Sequence, residues 1–291
     1  MTPGLILAAV LAPAALGAGG AAPKARKPAE RARSAVAAAK RWVCFYGGNI
    51  SERVWKDLDL ALVDPDAFQV PPGSGPVRLA YVSMGEADER RAFWGSVKGK
   101  PYVIEPNPDW AKAHRVDIRS KEWQSLLRDR VVADALYKGY DGVMFDTVDT
   151  AEYFESSAPA RFGGSVLAAA AFIGELRRKH PTAAFIINNS LAVAELAAND
   201  IDGLLVEDLY TRCLPQYAEC GPTPSDVSIE KEKKLKAFMA KTGKPVFVIL
   251  YAKLEERRKG WLKTAVRRSR ENGFRPYVAA PSLERYGHVD P

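Results

Sequence analysis

The sequence predicts an α/β protein built as a single (β/α)8 TIM barrel. Three observations lead to this prediction. The chain has 291 residues with 47% apolar content, which suits one barrel domain. Strand-like runs alternate with helical stretches from residue 42 onward, and several runs are apolar throughout, as expected for strands buried on both faces. Eight such alternations in one unbroken domain favour a closed barrel over an open, doubly wound sheet.

The elements follow from local patterns. We predict strands at 42–47, 59–64, 77–83, 141–146, 183–189, 201–207, 245–251 and 274–279. Helices are predicted at 121–138, 164–180, 191–198, 227–242 and 255–272. Ser120 is a suitable N-cap for the first of these. The connection 84–140 is longer than one helix requires, and we expect residues 102–118 to form an elaborated loop that shapes a substrate cleft.

Two segments precede the predicted barrel domain at 42–291. Residues 1–23 contain an apolar run from Leu5 to Leu16 followed by small residues, which predicts a signal peptide or an uncleaved N-terminal anchor. Residues 24–41 carry seven basic residues and one acidic residue, and this Ala-rich stretch is predicted to be a solvated basic linker. Weak attachment to an anionic membrane or polymer is the alternative role for it.

The location of the charge limits the possible partners. Almost all of the net charge of +7 lies in the linker, because residues 42–291 carry 35 basic and 34 acidic residues. A nearly neutral body argues against a nucleic-acid partner. The three His residues lack metal-ligand spacing, and there is no phosphate-binding loop, serine-nucleophile elbow or dinucleotide fingerprint. We therefore expect neither a metal nor an organic cofactor.

Two carboxylates end apolar strand-like runs. Asp146 ends the run that begins at Gly142, and Glu207 ends the run that begins at Gly203. The carboxyl ends of parallel barrel strands form the rim where active sites are built. Two acids on one rigid rim can perform acid/base and nucleophilic chemistry on a sugar bond. The alternative is that each acid caps a helix or pairs with a nearby Arg.

Other polar and aromatic residues fall on the same predicted rim. Such a set suits a polyhydroxylated ligand, especially one that carries an amine. The candidates for substrate binding are Tyr46, Asp64, Glu86, Asp149, Asn189, Tyr210 and Tyr251, with Asn188 and Asp208 beside them. Any one of them could instead bond within a loop or cap a helix, and for Asp64 and Glu86 the two interpretations are equally open.

The three cysteines divide into a close pair and a single residue. Cys213 and Cys220 lie in a Pro- and Gly-containing stretch and could form a disulfide in an oxidising compartment. Cys44 lies within the first predicted strand and is most simply a small buried residue.

Several of these residues belong to motifs that resemble a known family. The motifs are Tyr81-Val82-Ser83-Met84-Gly85-Glu86-Ala87 with Arg90 and Trp94, Asn107-Pro108-Asp109-Trp110, Val116-Asp117-Ile118-Arg119-Ser120, and Gly139-Tyr140-Asp141-Gly142-Val143-Met144-Phe145-Asp146-Thr147-Val148-Asp149. Together they resemble glycoside hydrolase family 114, a family of endo-α-1,4-polygalactosaminidases and related barrel proteins. The resemblance covers residues 42–286 and adds Trp110 to the candidate substrate-binding residues.

The resemblance implies a (β/α)8 barrel that cleaves α-1,4-linked galactosamine polymers with retention of configuration. Carried over residue by residue, the nucleophile after strand four falls on Asp146 and the acid/base after strand six falls on Glu207. We expect an amino-sugar polysaccharide as substrate, a monomeric protein without stable membrane insertion after signal cleavage, and a secreted, periplasmic or cell-surface location. The alternatives are a non-catalytic carbohydrate-binding barrel involved in polysaccharide handling and a hydrolase of a different glycan.

Overall fold

The computed structural model describes residues 28–69, 75–214 and 219–285, and it confirms the predicted barrel. Eight parallel strands follow one another in chain order around one sheet, and the eighth contacts the first, so the sheet curls into a nearly closed barrel. The barrel strands, numbered one to eight below, are Trp42–Phe45, Leu60–Val63, Val77–Ser83, Gly142–Asp146, Ala184–Asn188, Gly203–Val206, Val246–Tyr251 and Arg275–Ala279. Each lies within its predicted range.

Side chains along the central strands alternate between the barrel interior and the surrounding helices, as the pleat requires. In strand four, Met144 joins the cluster that fills the interior, whereas Val143 and Phe145 join the cluster that packs under the helices. Ile186 of strand five and Leu205 of strand six share the interior with Met144. This alternation fixes which residues at the strand ends point into the mouth of the barrel.

Helices connect the strands and cover the outside of the barrel. Their bounds are Pro28–Ala38, Glu52–Asp57, Trp94–Val97, Lys121–Leu126, Ala133–Tyr137, Thr150–Ser157, Pro159–Phe162, Ser165–Lys179, Leu191–Leu196, Ser225–Thr242 and Gly260–Glu271, with a π-helical turn at Leu127–Val132 and a 3-10 turn at Leu254–Glu256. The helix predicted at 121–138 therefore contains a π-helical turn. The one predicted at 255–272 begins at Gly260, because the 3-10 turn and a short loop precede it.

The long connections carry additional strands. The segment between strands three and four forms an antiparallel three-stranded sheet from Glu86–Asp88, Val103–Pro106 and Ala113–Val116. The segment after strand six forms a hairpin from Thr211–Leu214 and Glu219–Pro222. Cys213 and Cys220 face each other across this hairpin and form a disulfide. Both additions follow carboxyl ends of barrel strands, so they lie at the rim where we expect the active site.

The prediction of a solvated linker over residues 24–41 is wrong for much of its length. Pro28–Ala38 is a helix, and its Val36 is fully buried against the barrel. Arg33 Nε donates to Oδ1 of Asp202 at 2.8 Å, and Arg275 donates to two carbonyl oxygens at the end of the helix. The number of basic residues concealed the helical spacing of the small apolar residues, which is what packs this segment against the N-terminal end of the barrel.

The predicted signal peptide, residues 1–23, lies outside the described residues. Within the described ranges, no helix is long and apolar enough to cross a lipid bilayer.

Candidate active site

Three neighbouring strands deliver polar side chains to the mouth of the barrel. Asp146 and Asn188 are the last residues of strands four and five, and Glu207 directly follows strand six. Each is two residues beyond an interior residue, so the alternation of the strands turns all three side chains inward. The barrel thus brings together the two acids that the sequence predicted, with an amide from the strand between them.

The amide of Asn188 joins the two acids. Its Nδ2 donates to Oδ1 of Asp146 at 2.8 Å and to Oε1 of Glu207 at 2.5 Å. Because both distances start from one nitrogen, the two oxygens cannot be farther apart than 2.8 plus 2.5 Å, or about 5.3 Å. Two carboxylates in retaining glycosidases lie about 5–5.5 Å apart, whereas inverting enzymes hold theirs about 6.5–9.5 Å apart.

Tyrosine hydroxyls complete the contacts of the two acids. Tyr251, the last residue of strand seven, donates its hydroxyl hydrogen to Oε2 of Glu207 at 2.6 Å. Tyr81 of strand three hydrogen-bonds the carboxylate of Asp146. Tyr46, just beyond strand one, packs its ring edge against Tyr81 with the ring centroids 4.9 Å apart. Burial raises the pKa of the Tyr46 and Tyr81 hydroxyls well above the ordinary value, so both remain protonated donors at neutral pH.

The environment of Glu207 favours its protonated form. Burial, assisted by the negative charge of Asp146, raises the pKa of Glu207 to about 7. The hydrogen bonds from Tyr251 and Asn188 favour the carboxylate and oppose this rise. A carboxyl group with a pKa near neutrality can both give and take a proton during a reaction, as a general acid/base must.

Left-handed backbone follows each of the three residues. Thr147, Asn189 and Asp208 have φ values of 56°, 60° and 55°. Such values are uncommon outside glycine, and they are outliers for a β-branched residue such as Thr147. Asn189 also accepts a hydrogen bond from the main-chain N–H of Glu207 through its Oδ1, at 2.9 Å. The chain turns sharply out of the barrel directly after each site residue, and this turn leaves the side chain at the mouth.

A second group of carboxylates lies beside Asp146. Glu86 begins the first strand of the rim sheet and accepts a hydrogen bond from Asn107 Nδ2 at 2.7 Å. Burial and the charge of Asp146 raise the pKa of Glu86 to about 7. The same two causes raise the pKa of Asp149 to about 6. If all of these carboxyl groups were ionised, their negative charges would repel one another. A bound cation would reduce this repulsion.

Asp64 has a protein partner at the rim. Both of its carboxylate oxygens accept hydrogen bonds from Arg91, at 2.7 and 2.9 Å. The guanidinium carbon of Arg91 in turn lies 5.3 Å from the centre of the Tyr81 ring. Asp64 therefore holds the guanidinium group of Arg91 next to the ring of Tyr81.

One of the predicted binding residues, Tyr210, is not brought to the acids. Tyr210 is buried in the layer of apolar side chains under the helices, where its hydroxyl donates to Oε2 of Glu232 at 2.8 Å. Nearness to Glu207 in the sequence does not place Tyr210 at the mouth, because Tyr210 is three residues beyond that inward-facing acid and the alternation of side chains puts it on the opposite side. Trp110 lies in the connection between two rim strands, and 53% of its surface is exposed.

Sequence reasoning gave too little weight to Asn188, Tyr81 and Lys231. Asn188 was recognisable as the inward-facing end of strand five, and Tyr81 as an inward-facing residue of strand three. Lys231 lies on the helix Ser225–Thr242, and its Nζ donates to the main-chain carbonyl of Glu207 at 2.7 Å. No strand-end pattern indicates a residue that reaches the site from a helix. Among the described residues, no group of three or more His, Cys, Asp or Glu side chains is arranged to hold a metal ion.

A (β/α)8 barrel with two linked carboxylates at the carboxyl ends of its strands is an architecture of glycoside hydrolases. The chain belongs to glycoside-hydrolase family GH114, whose family model matches residues 22–290.

Two relatives match most of the chain. An uncharacterized protein from Deinococcus radiodurans is 29% identical over 251 residues, which cover 78% of this chain and 75% of that protein. An uncharacterized protein from Methanocaldococcus jannaschii is 27% identical over 232 residues, 72% of this chain and 63% of that protein.

Two solved structures share the fold. The glycoside hydrolase domain of PelA from Pseudomonas aeruginosa superimposes with a TM-score of 0.75 at 22% identity, covering 87% of this chain and 99% of that domain. Aspergillus fumigatus Ega3, solved in complex with galactosamine, superimposes with a TM-score of 0.62 at 18% identity, covering 85% of this chain and 95% of that one.

Proposed function

We propose that this protein is a retaining glycoside hydrolase that cleaves α-1,4-linked galactosamine-containing polysaccharide. Asp146 is the nucleophile and Glu207 is the general acid/base. The observation that carries the proposal is the amide of Asn188, which hydrogen-bonds both carboxylates and limits the two oxygens that it binds to a separation of at most about 5.3 Å, as a closely spaced retaining pair requires.

The reaction would proceed in two steps. In the first, a carboxylate oxygen of Asp146 attacks the anomeric carbon, the glycosidic C–O bond breaks, and the leaving oxygen takes the proton of Glu207. In the second, the carboxylate of Glu207 takes a proton from water while the water oxygen attacks the anomeric carbon and the bond from that carbon to the Asp146 oxygen breaks. This step releases the sugar and regenerates the Asp146 carboxylate and the protonated Glu207. The pKa of about 7 at Glu207 suits this exchange of roles.

An amino sugar is favoured by the charge of the cleft. Glu86 and Asp149 are carboxyl groups with raised pKa values beside Asp146, and a sugar ammonium group would stabilise their charged forms. The presence of galactosamine in the Ega3 structure is consistent with this substrate class. Lewis acid or redox chemistry is not required, because the two carboxylates supply both the nucleophile and the proton.

The remaining candidate binding residues divide by position. Tyr46 and Tyr251 lie at the mouth, where their rings and hydroxyls can line the subsite that holds the reacting sugar. Trp110 offers an exposed ring for stacking on a more distant sugar. Asp64 and Asn189 contribute through Arg91 and Glu207, which they hold in place.

We further propose that the protein acts outside the cytoplasm. The disulfide between Cys213 and Cys220 is of the kind that persists in oxidising compartments. The apolar run within residues 1–23 is consistent with export.

Digestion of defined polymers tests the proposal. Partly deacetylated α-1,4-galactosamine polymer, its fully acetylated form and a neutral galactan are incubated with wild-type protein, Asp146→Asn and Glu207→Gln, and new reducing ends are counted. We expect wild type to cleave the polymer that contains free amines, and each variant to lose at least about 1,000-fold in rate. Cleavage of the neutral galactan alone would change the substrate, and binding of the amino polymer with no new reducing ends would favour the non-catalytic barrel.

A further inference from the structure

Lys231 reaches the candidate active site from outside the barrel strands. It lies on the helix Ser225–Thr242, which follows the disulfide hairpin, and it is partly buried. Its Nζ donates to the main-chain carbonyl oxygen of Glu207 at 2.7 Å. An ammonium group in this position has to lose much of its hydration, so its placement requires strong compensation from the protein.

Side chains hold the backbone at Glu207 in place. The main-chain N–H of Glu207 donates to Oδ1 of Asn189 at 2.9 Å, and its carbonyl accepts from Lys231. The next carbonyl, that of Asp208, accepts from the hydroxyl of Thr223 at 3.0 Å. Strand six ends at Val206, and the backbone of Asp208 is left-handed. These contacts therefore lie where the chain leaves the strand and turns. Removal of Lys231 would leave the carbonyl next to this turn without that donor.

The charges around Lys231 are negative. The carboxylates that act on its ammonium are those of Asp208, Glu207 and Asp149, and burial nevertheless lowers the pKa of Lys231 from its ordinary value. Asp146 faces Glu207 from strand four, and Arg212 of the hairpin acts on Asp208. Lys231 therefore lies among three carboxyl groups, which favour its charged form against the effect of burial.

We propose that Lys231 is a positioning residue for Glu207, which it holds at the mouth of the barrel and whose carboxylate form it stabilises. The inference rests on the proposed function. When Glu207 gives its proton to the leaving oxygen, a negative charge appears beside Asp149 and Asp208, and the ammonium of Lys231 offsets that charge. Lys231 touches neither the sugar nor the reacting atoms, and it acts on the reaction through Glu207.

Three substitutions separate this role from simple support of the fold. Lys231→Met removes both the charge and the donor, whereas Lys231→Arg keeps the charge at an altered geometry. Lys234→Met is the matched control, because Lys234 lies on the same helix, is exposed, and pairs with Glu230 at 2.7 Å. Lys231→Gln, which keeps a neutral donor, replaces Lys231→Met if thermal unfolding shows that the methionine variant does not fold.

The first measurement is the pH dependence of kcat/KM with an activated galactosaminide. We expect Lys231→Met to lower kcat at least about 10-fold with little change in KM, and to shift the alkaline limb upward by about one pH unit, because an opposite charge favours the carboxylate form. Lys231→Arg should return the limb to within about 0.3 unit of wild type, and Lys234→Met should match wild type in all respects. Equal profiles for Lys231→Met and wild type would overturn the proposal.

The second measurement does not depend on turnover. The carboxyl 13C signal of Glu207 is identified by its loss in Glu207→Gln and is titrated in wild type and in each lysine variant. A rise of about one pKa unit in Lys231→Met supports the proposal even if wild type cleaves no amino-sugar glycan, in which case only the proposed function fails. An unchanged pKa in Lys231→Met, or one equally raised in Lys231→Met and Lys231→Arg, contradicts the role of the charge whatever the activity.

Discussion

The hydroxyl of Tyr251 donates to Oε2 of Glu207 at 2.6 Å. Tyr251 ends strand seven and Glu207 directly follows the neighbouring strand six, and the phenol donates to a carboxylate whose charged form burial disfavours. A hydrogen bond to the charged form lowers the pKa of an acid, whereas burial and the nearby Asp146 raise it. The pKa of about 7 at Glu207 is the result of these opposing effects, and it sets the pH range in which a proton can be exchanged.

Tyr251→Phe tests this balance. The substitution removes the donor and keeps the ring, so the pKa of Glu207 should rise above 7 and the alkaline limb of the pH–rate profile should move upward. We expect kcat at pH 7 to fall by about 10-fold, because Glu207 becomes a weaker acid. Tyr137→Phe, at a ring that is 93% exposed, serves as the control. An alkaline limb that stays in place in Tyr251→Phe would contradict the balance described here.

Asn188→Ala tests the link between the two acids. Without the amide, Asp146 and Glu207 lose their common donor, and the repulsion between them is no longer screened by it. We expect kcat to fall about 100- to 1,000-fold, the range observed when one preorganised donor is removed from a catalytic site. Steady-state kinetics with an activated galactosaminide and circular dichroism distinguish lost catalysis from lost folding. A folded variant with more than a third of the wild-type rate would show that the amide is dispensable.

Gly142→Ala tests the close approach of strands four and five. A Cβ at this position would lie 1.9 Å from the carbonyl oxygen of Ala184, which is backbone and cannot move without displacing the strand. We expect a loss of about 3 kcal/mol or more in the free energy of unfolding, measured by urea denaturation. Gly95→Ala is the control, because no atom beyond its chain neighbours and its own helix backbone lies within 4 Å of the added Cβ. Equal stability of the two variants would contradict the packing described for the barrel.

Thiol counting tests the disulfide. The denatured, unreduced protein should show one free thiol, that of buried Cys44, and the reduced protein should show three. Reduction should lower the free energy of unfolding by about 2 kcal/mol, because the bridge restrains a short loop of the unfolded chain. The double variant Cys213→Ser/Cys220→Ser should show one thiol in either state. Three free thiols in the unreduced wild type would exclude the bridge.

Much of the fold was predictable because strands that pack in the barrel need apolar residues, and these residues are adjacent in the sequence. Most of the barrel strands are apolar on both faces, so they appear in the sequence as short apolar runs. Asp146 and Glu207 stand out because a carboxylate interrupts such a run where the strand ends. The helix Pro28–Ala38 was missed because its apolar face consists of small residues among basic ones, and its contact with Asp202 joins residues 169 positions apart.

The parts of the site that sequence could not provide depend on backbone turns and on contacts between distant elements. Left-handed backbone at Thr147, Asn189 and Asp208 turns the chain out of the barrel after each site residue, and periodicity gives no indication of such turns. The double hydrogen bond of Asn188 depends on the register between strands five and six. A helix residue such as Lys231 becomes part of the site only through the packing of its helix.

Mass spectrometry of a trapped intermediate tests the assignment of Asp146 and Glu207 most directly. Glu207→Gln is mixed with a galactosaminide whose leaving group needs no protonation, and the protein is digested and sequenced. We predict one amino-sugar residue bound through an ester to Asp146, because the first step proceeds while the glutamine cannot activate water for the second. Asp146→Asn should carry no sugar under the same conditions. A label on another residue, or an Asp146→Asn variant that turns over at the wild-type rate, would contradict the mechanism.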